Sequence, residues 1–135
     1  MKIGWNNGIK HSLGIIPLVR RHLSKVDDTI LVGTFDNCRE QGLVLTVYSN
    51  KKPFNNLHIA ICEHRCSDNI CIWVYSECLF PYHLFAEGKG EWAQHFSYKK
   101  GDEAAEWIAR LIKRFKRTNK IPKEGEVKCV DTGLS

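Results

Sequence analysis

Five short runs rich in apolar residues lie between positions 29 and 98, and their spacing predicts β-strands. The runs are Thr29–Phe35, Leu43–Ser49, Leu57–His64, Ile70–Cys78 and Trp92–Tyr98. In the third run, Leu57, Ile59 and Ile61 occupy every second position, which places them on one face of a strand because successive side chains point to opposite faces. Polar or glycine-containing turns separate neighbouring runs, so we expect an antiparallel meander of four strands, or of five if the last run also pairs.

A different period marks the two ends of this strand-rich region. Between Gly101 and Arg117 the apolar residues follow the 3.6-residue repeat of one helix face. They are Ala104, Trp107, Ile108, Leu111, Ile112 and Phe115. Pro122 ends the pattern, since the residue before a proline is pushed out of the helical region. The shorter segment at residues 15–25 predicts an N-terminal helix with Pro17 in its first turn, where a proline is tolerated.

The order of these elements predicts an α+β fold, in which the N-terminal and C-terminal helices pack on one face of a four- to five-stranded antiparallel meander sheet. We expect residues 1–122 to form a single domain and residues 123–135 to form a polar C-terminal tail that is loose. Two alternatives remain for the second face of the sheet. Either it is exposed and available to a partner, or the N-terminal segment or residues 79–90 cover it.

The composition of the chain is that of a folded protein. Of its 135 residues, 43% are hydrophobic and 26% are charged, which excludes a disordered polar chain and suits one domain of ordinary size. No apolar run approaches the roughly 20 residues that span a bilayer, and we recognise no signal peptide at the N-terminus. We therefore expect the six cysteines to be reduced thiols of a cytoplasmic protein.

Cysteine and histidine residues are concentrated in the middle of the chain. The cluster contains His58, Cys62, His64, Cys66, Cys71, Cys78 and His83. These are the residue types that bind zinc, but the Cys-x-x-Cys spacing of common zinc sites is missing. The strand pattern instead places Cys62 opposite Cys71 across a hairpin, as two small side chains that pack together.

The same cluster offers partners for a catalytic thiol–imidazole dyad, but no spacing singles out one pair. The histidines available to a cysteine nucleophile are His58, His64, His83 and His95. We therefore predict no catalytic residue, no metal ligand and no cofactor. A metal-dependent or thiol enzyme built on the Cys/His cluster stays as an alternative hypothesis.

Basic residues are densest around the predicted C-terminal helix, in a chain whose formal net charge is +5. The candidate contacts are Lys99 and Lys100 before the helix and Arg110, Lys113, Arg114 and Arg117 along it. Lys and Arg on one face are what phosphate contacts require. Our main hypothesis is a small non-enzymatic protein that binds nucleic acid or a nucleoprotein through this basic helix. The simpler alternative is a solubilising helix end, which the helix dipole favours in any case.

A second hypothesis places the function on the sheet. Trp73 and Tyr75 share one face of the fourth predicted strand, and aromatic residues are enriched at protein interfaces. The chain would then be a protein-binding inhibitor or immunity-type module, acting as a monomer or a homodimer, with an acidic protein as its partner. Neither hypothesis involves a membrane.

Overall fold

The structure of the chain, a computed structural model, describes residues 14–23, 30–36, 40–49, 51–53, 55–64, 69–75, 92–129 and 131–134. Two helices and five strands lie in these ranges. They are α1 (residues 14–23), β1 (Ile30–Asp36), β2 (Glu40–Tyr48), β3 (Asn56–His64), β4 (Asn69–Tyr75), β5 (Trp92–Ser97) and α2 (Gly101–Thr118), which a short 3-10 turn (Tyr98–Lys100) precedes. The predicted α+β class is confirmed. The last three residues of the predicted fourth strand, 76–78, fall outside the described residues.

The five strands form one sheet in the order β1-β2-β3-β4-β5, and each neighbouring pair is antiparallel. The predicted meander is therefore confirmed, and the fifth run does pair, along β4. The register places Ile59 between Leu45 on β2 and Val74 on β4. These three residues belong to one face, because residues directly opposite each other in an antiparallel pair point to the same side.

One large buried cluster joins this face of the sheet to both helices. From the sheet it takes Leu45, Val47, Leu57, Ile59, Ile61, Ile70, Ile72, Val74, Trp92 and Phe96. Ile15 and Val19 come from α1, and α2 contributes every residue of its predicted apolar stripe. Each fully buried Leu, Ile or Phe side chain contributes about 1.5–3 kcal/mol. None of the helices in the described part of the chain is long and apolar enough to cross a membrane.

The buried side of α2 is wider than the predicted stripe. Ala105 and Ala109 are also fully buried, and their small side chains leave room for neighbouring elements to approach the helix closely. On the opposite flank, the indole of Trp107 packs against Trp92 and Phe96, with ring centroids 5.6 Å apart in both pairs. Only the remaining strip of α2 is left to solvent.

The second face of the sheet is buried at its centre. Val44, Ala60, Cys62 and Cys71 form a separate small cluster, and Trp73 packs against it while half-buried. Leu31, on β1 at the edge of the sheet, is 53% exposed. The alternative in which this second face is exposed and available to a partner therefore does not hold at the centre of the sheet, where these small residues are buried.

The C-terminal tail at residues 123–135 is not loose where it is described. The Nε1 of Trp107 donates a hydrogen bond to the carbonyl of Val127 at 2.7 Å, and Val127 itself is buried. Just before the tail, the Nε1 of Trp92 donates to the carbonyl of Pro122 at 3.0 Å. A buried indole N–H needs an acceptor, and the backbone after α2 supplies it. The tail therefore packs against the helix, although its sequence is polar.

Candidate nucleic-acid interface

Charge is segregated along the solvent-facing strip of α2. Asp102 and Glu103 lie in the first turn and Glu106 follows, whereas the C-terminal half carries Arg110, Lys113, Arg114 and Arg117. The apolar stripe points the other way, so the 3.6-residue repeat directs all four bases away from the core. This end of the helix also carries the negative end of the helix dipole, which stabilises cations. The positive charge is therefore local to the C-terminal half of α2.

These four basic residues line one shallow groove of about 350 Å³, together with Glu126 and Val127 from the tail. The structure thus brings together four of the six basic residues that the sequence suggested as contacts. The groove exists because the tail lies along one flank of α2. The sequence pattern did not indicate that the tail would form one of its walls.

Two of the four bases are anchored to the tail. The Nη1 of Arg110 donates to the carbonyl of Lys128 at 2.8 Å, and Arg114 forms an ion pair with Glu126. The hydrogen bond from the backbone N–H of Lys123 to Glu126, at 2.7 Å, and the contact with Arg114 lower the pKa of the Glu126 carboxyl. Glu126 is therefore ionised at neutral pH, and it offsets part of the charge of Arg114.

Lys113 and Arg117 are the bases most available to a ligand. Both are exposed, and within the described residues neither side chain forms an ion pair. They stand one helical turn apart on the same strip. A long, flexible cation in this position can reach a phosphate without breaking an internal contact.

Asn119 connects this end of α2 to the β2–β3 loop. It lies just after the helix in the left-handed conformation (φ 57°, ψ 26°), and its backbone N–H caps the carbonyl of Phe115. Its Nδ2 donates to the carbonyl of Pro53 at 2.7 Å, and its Oδ1 accepts a hydrogen bond from Ser49. The Nδ2 of Asn55 donates to the Asn119 carbonyl at 2.7 Å. The side chain and backbone of one residue thus fix the loop against the helix.

The fixed loop adds cations to the basic half of α2. The Nζ of Lys51 donates to the carbonyl of Arg117 at 3.1 Å, and Lys52 and Lys120 are exposed beside them in the chain. We define the basic end as Lys51, Lys52, Arg110, Lys113, Arg114, Arg117 and Lys120. The three lysines were absent from the predicted contacts. The asparagine that follows the basic helix indicates where the helix ends, since asparagine is one of the residues that end helices in the left-handed conformation, but it does not indicate which loop packs there.

Lys99 and Lys100 are not part of the basic end. They precede α2, and at about 1.5 Å per residue Lys100 is about 20 Å along the helix from Arg114. Lys100 is also paired with Asp131 at 2.7 Å, and this hydrogen bond and the Asp131 charge raise the pKa of Lys100. Acidic residues of the first turns lie between the two groups, so the structure separates these predicted contacts from the other four.

The predicted protein interface lies on the partly buried second face. Trp73 sits opposite Ala60 on β3 and Ala93 on β5. Tyr75 continues β4 opposite His58, and its side chain is outside the described residues. These observations do not define an exposed aromatic surface.

The Cys/His cluster is only partly covered by the structure. In the part of the chain that is described, no three His, Cys, Asp or Glu residues are grouped so that they could hold a metal ion. Cys62 lies opposite Cys71, as the strand pattern predicted. The structure also selects one thiol–imidazole pair that the sequence could not, because the Sγ of Cys71 is 3.9 Å from the Nε2 of His95. Cys66, Cys78 and His83 fall outside the described residues.

Comparisons with protein-family models, with curated proteins and with solved structures return no match. The chain's own residues and their geometry are thus the basis for assigning a function.

Proposed function

We propose that the chain binds nucleic acid through its basic end. The observation that carries the proposal is that four basic residues chosen from the sequence line a single groove. The lysines of the β2–β3 loop, positioned by Asn119, extend the same positive surface. Glu126 is the acid that lines the groove, and Arg114 already pairs with it.

The size of the basic end favours contacts with phosphates over the reading of bases. Arg110 and Arg117 are seven residues apart, which is about 10 Å along the helix and matches the axial length of about three nucleotides on one strand. Among the described residues, the groove is lined by four flexible cations, one carboxylate and one aliphatic residue, and none of these is an aromatic side chain on which a base could stack. Such contacts fix position and give little sequence preference.

This footprint sets the expected salt dependence. Three or four phosphate contacts give a slope of about −3 for log K against log salt on duplex DNA. We expect measurable binding at low salt and a steep loss towards physiological salt. Labelled duplex DNA, single-stranded DNA and RNA, each followed by fluorescence anisotropy, will show which form binds most tightly.

The most informative variant is Lys113→Glu combined with Arg117→Glu. Both residues are exposed, so reversing their charge leaves the core and the tail contacts in place. Arg114→Glu with Arg117→Glu is expected to abolish binding as well, but it places a second carboxylate next to Glu126 and disturbs the tail. For this reason the Lys113/Arg117 pair is the cleaner test.

A matched control is available on α1. Arg20→Glu with Arg21→Glu changes the net charge by the same amount at two other exposed positions. The proposal predicts a large loss of affinity and a slope that is less steep by about 2 for the α2 variant, with a small change for the α1 variant. An equal loss of affinity in both variants would show that binding depends on the net charge of the chain and not on the basic end. Unchanged affinity in the α2 variant would refute the proposal. Failure of the unmodified chain to bind at low salt would leave the basic end as a solubilising surface.

A further inference from the structure

Three residues with reactive side chains stand in one row across the second face of the sheet. Cys62 on β3 is directly opposite Cys71 on β4, and Cys71 is directly opposite His95 on β5. Solvent exposure increases along the row, since Cys62 is fully buried, Cys71 is 3% exposed and His95 is exposed. Nothing in the proposed binding of nucleic acid uses these residues.

The spacing of the two thiols suits a disulfide. Directly opposed residues of antiparallel strands have Cα atoms about 4.5 or 5.5 Å apart, according to whether the pair is hydrogen-bonded. Disulfides span Cα separations of about 4.4–6.8 Å. Both kinds of cross-strand pair fall within this range, so the register of Cys62 and Cys71 is compatible with a disulfide after a small approach of the two side chains.

His95 distinguishes the two cysteines. Its Nε2 is 3.9 Å from the Sγ of Cys71, close enough to take up the thiol proton with a small side-chain movement. The thiolate is the form of cysteine that reacts with electrophiles and oxidants. This contact makes Cys71, rather than Cys62, the candidate for the first reaction with an oxidant.

We propose that Cys71 and Cys62 form a redox-active dithiol whose oxidant is a small hydroperoxide such as hydrogen peroxide. In the first step His95 accepts the proton of Cys71, and the thiolate attacks one peroxide oxygen. The O–O bond breaks, the leaving hydroxide takes the proton from His95 to become water, and Cys71 becomes a sulfenic acid. A peroxide is little larger than water, which suits the narrow access to this thiol.

In the second step the sulfur of Cys62 attacks the sulfur of the sulfenic acid. The S–O bond breaks, hydroxide leaves with the proton of Cys62 as water, and the Cys62–Cys71 disulfide forms. The sum is one hydrogen peroxide and two thiols converted to one disulfide and two waters. The two sulfurs are oxidised and the peroxide oxygens are reduced.

The test is a disulfide map of the full chain after treatment with a small excess of hydrogen peroxide and blocking of the remaining thiols. Cleavage after Arg65, before Asp68 and after Tyr75 separates Cys62, Cys66, Cys71 and Cys78 into different peptides. The expected product is a linked pair of peptides that contain Cys62 and Cys71. In Cys62→Ser, the sulfenic acid on Cys71 should persist and be trapped by dimedone.

The role of His95 is tested with His95→Gln, an exposed substitution whose thermal unfolding serves as the check on folding. A cysteine without a base is only a few per cent thiolate near neutral pH, so the variant should form the link at least about tenfold more slowly. Cys129→Ser, a change at a half-buried thiol on the tail, should form it at the normal rate. The proposal is overturned if Cys62 and Cys71 stay reduced while Cys129 is oxidised, or if His95→Gln forms the link as fast as the unmodified chain.

Discussion

Replacing Asn119 with alanine removes the side chain that holds the β2–β3 loop against the end of α2. Two short hydrogen bonds are lost, with Ser49 and with the carbonyl of Pro53, and each contributes about 1 kcal/mol. The backbone at this position is left-handed, which costs residues with a Cβ about 1–2 kcal/mol, and asparagine tolerates it better than alanine because its short polar side chain hydrogen-bonds locally. Alanine has no polar group to offset that cost. We therefore expect Asn119→Ala to lower the free energy of unfolding by about 3 kcal/mol.

Asn119→Gly separates the two contributions. Glycine adopts the left-handed conformation readily, so only the hydrogen bonds are lost and the expected decrease is about 2 kcal/mol. Lys120→Ala, at the neighbouring exposed position, is the matched control and should stay within about 0.5 kcal/mol of the unmodified chain. Urea denaturation with an unchanged dependence on denaturant measures all three. Equal stability of Asn119→Ala and Lys120→Ala would show that the Asn119 network does not stabilise the fold.

Three further predictions concern the tail and the second face of the sheet. Trp107→Phe keeps a smaller aromatic ring but leaves the buried Val127 carbonyl without its donor. The free energy of unfolding should therefore fall by at least about 1–3 kcal/mol, and no change in urea denaturation would contradict the docking of the tail. The pKa of the Glu126 carboxyl is lowered in the folded chain, so the ionised carboxylate stabilises the fold fully above its ordinary pKa of 4.5, and this stabilisation disappears as the pH falls through the lowered pKa of the folded state. Glu126→Gln should therefore flatten the acid side of a plot of melting temperature against pH. An unchanged acid side would refute this prediction. Burial lowers the pKa of His58, so the unfolded chain binds the proton more tightly and the free energy of unfolding should decline as the pH falls below 6.5. His58→Gln should remove that decline. A decline of the same size in His58→Gln would assign it to another titrating group.

The strands and α2 could be predicted because their patterns are local. Alternation in β3 and the 3.6-residue stripe of α2 each depend on neighbours within a few positions, and burial against a common core enforces both. The pairing of Cys62 with Cys71 was predictable for a similar reason, since only a short loop separates β3 from β4. His95 could not be assigned to the same row, because a long connection lies between β4 and β5 and register cannot be counted across it.

The candidate site shows the same division between local and long-range information. The four bases on α2 could be grouped because helix geometry relates residues three and four apart. Lys99 and Lys100 were grouped with them by position in the chain, yet the rise of the helix places them about 20 Å away. Lys51 meets Arg117 through a hydrogen bond between residues 66 positions apart, and no sequence period reports such a contact. The docking of the tail was missed because the Trp107 indole donates to a backbone carbonyl, that of Val127, and the side-chain pattern of the tail does not report a backbone acceptor.

The location of the proposed nucleic-acid site can be tested most directly by NMR. The isotope-labelled full chain is titrated with the oligonucleotide that binds best at low salt, and the change in chemical shift is followed for every backbone amide. The proposal predicts that the largest changes fall at the basic end, which comprises the C-terminal half of α2, Lys51, Lys52 and Lys120. Largest changes around Trp73 on the second face of the sheet, or at Lys99 and Lys100 alone, would contradict it.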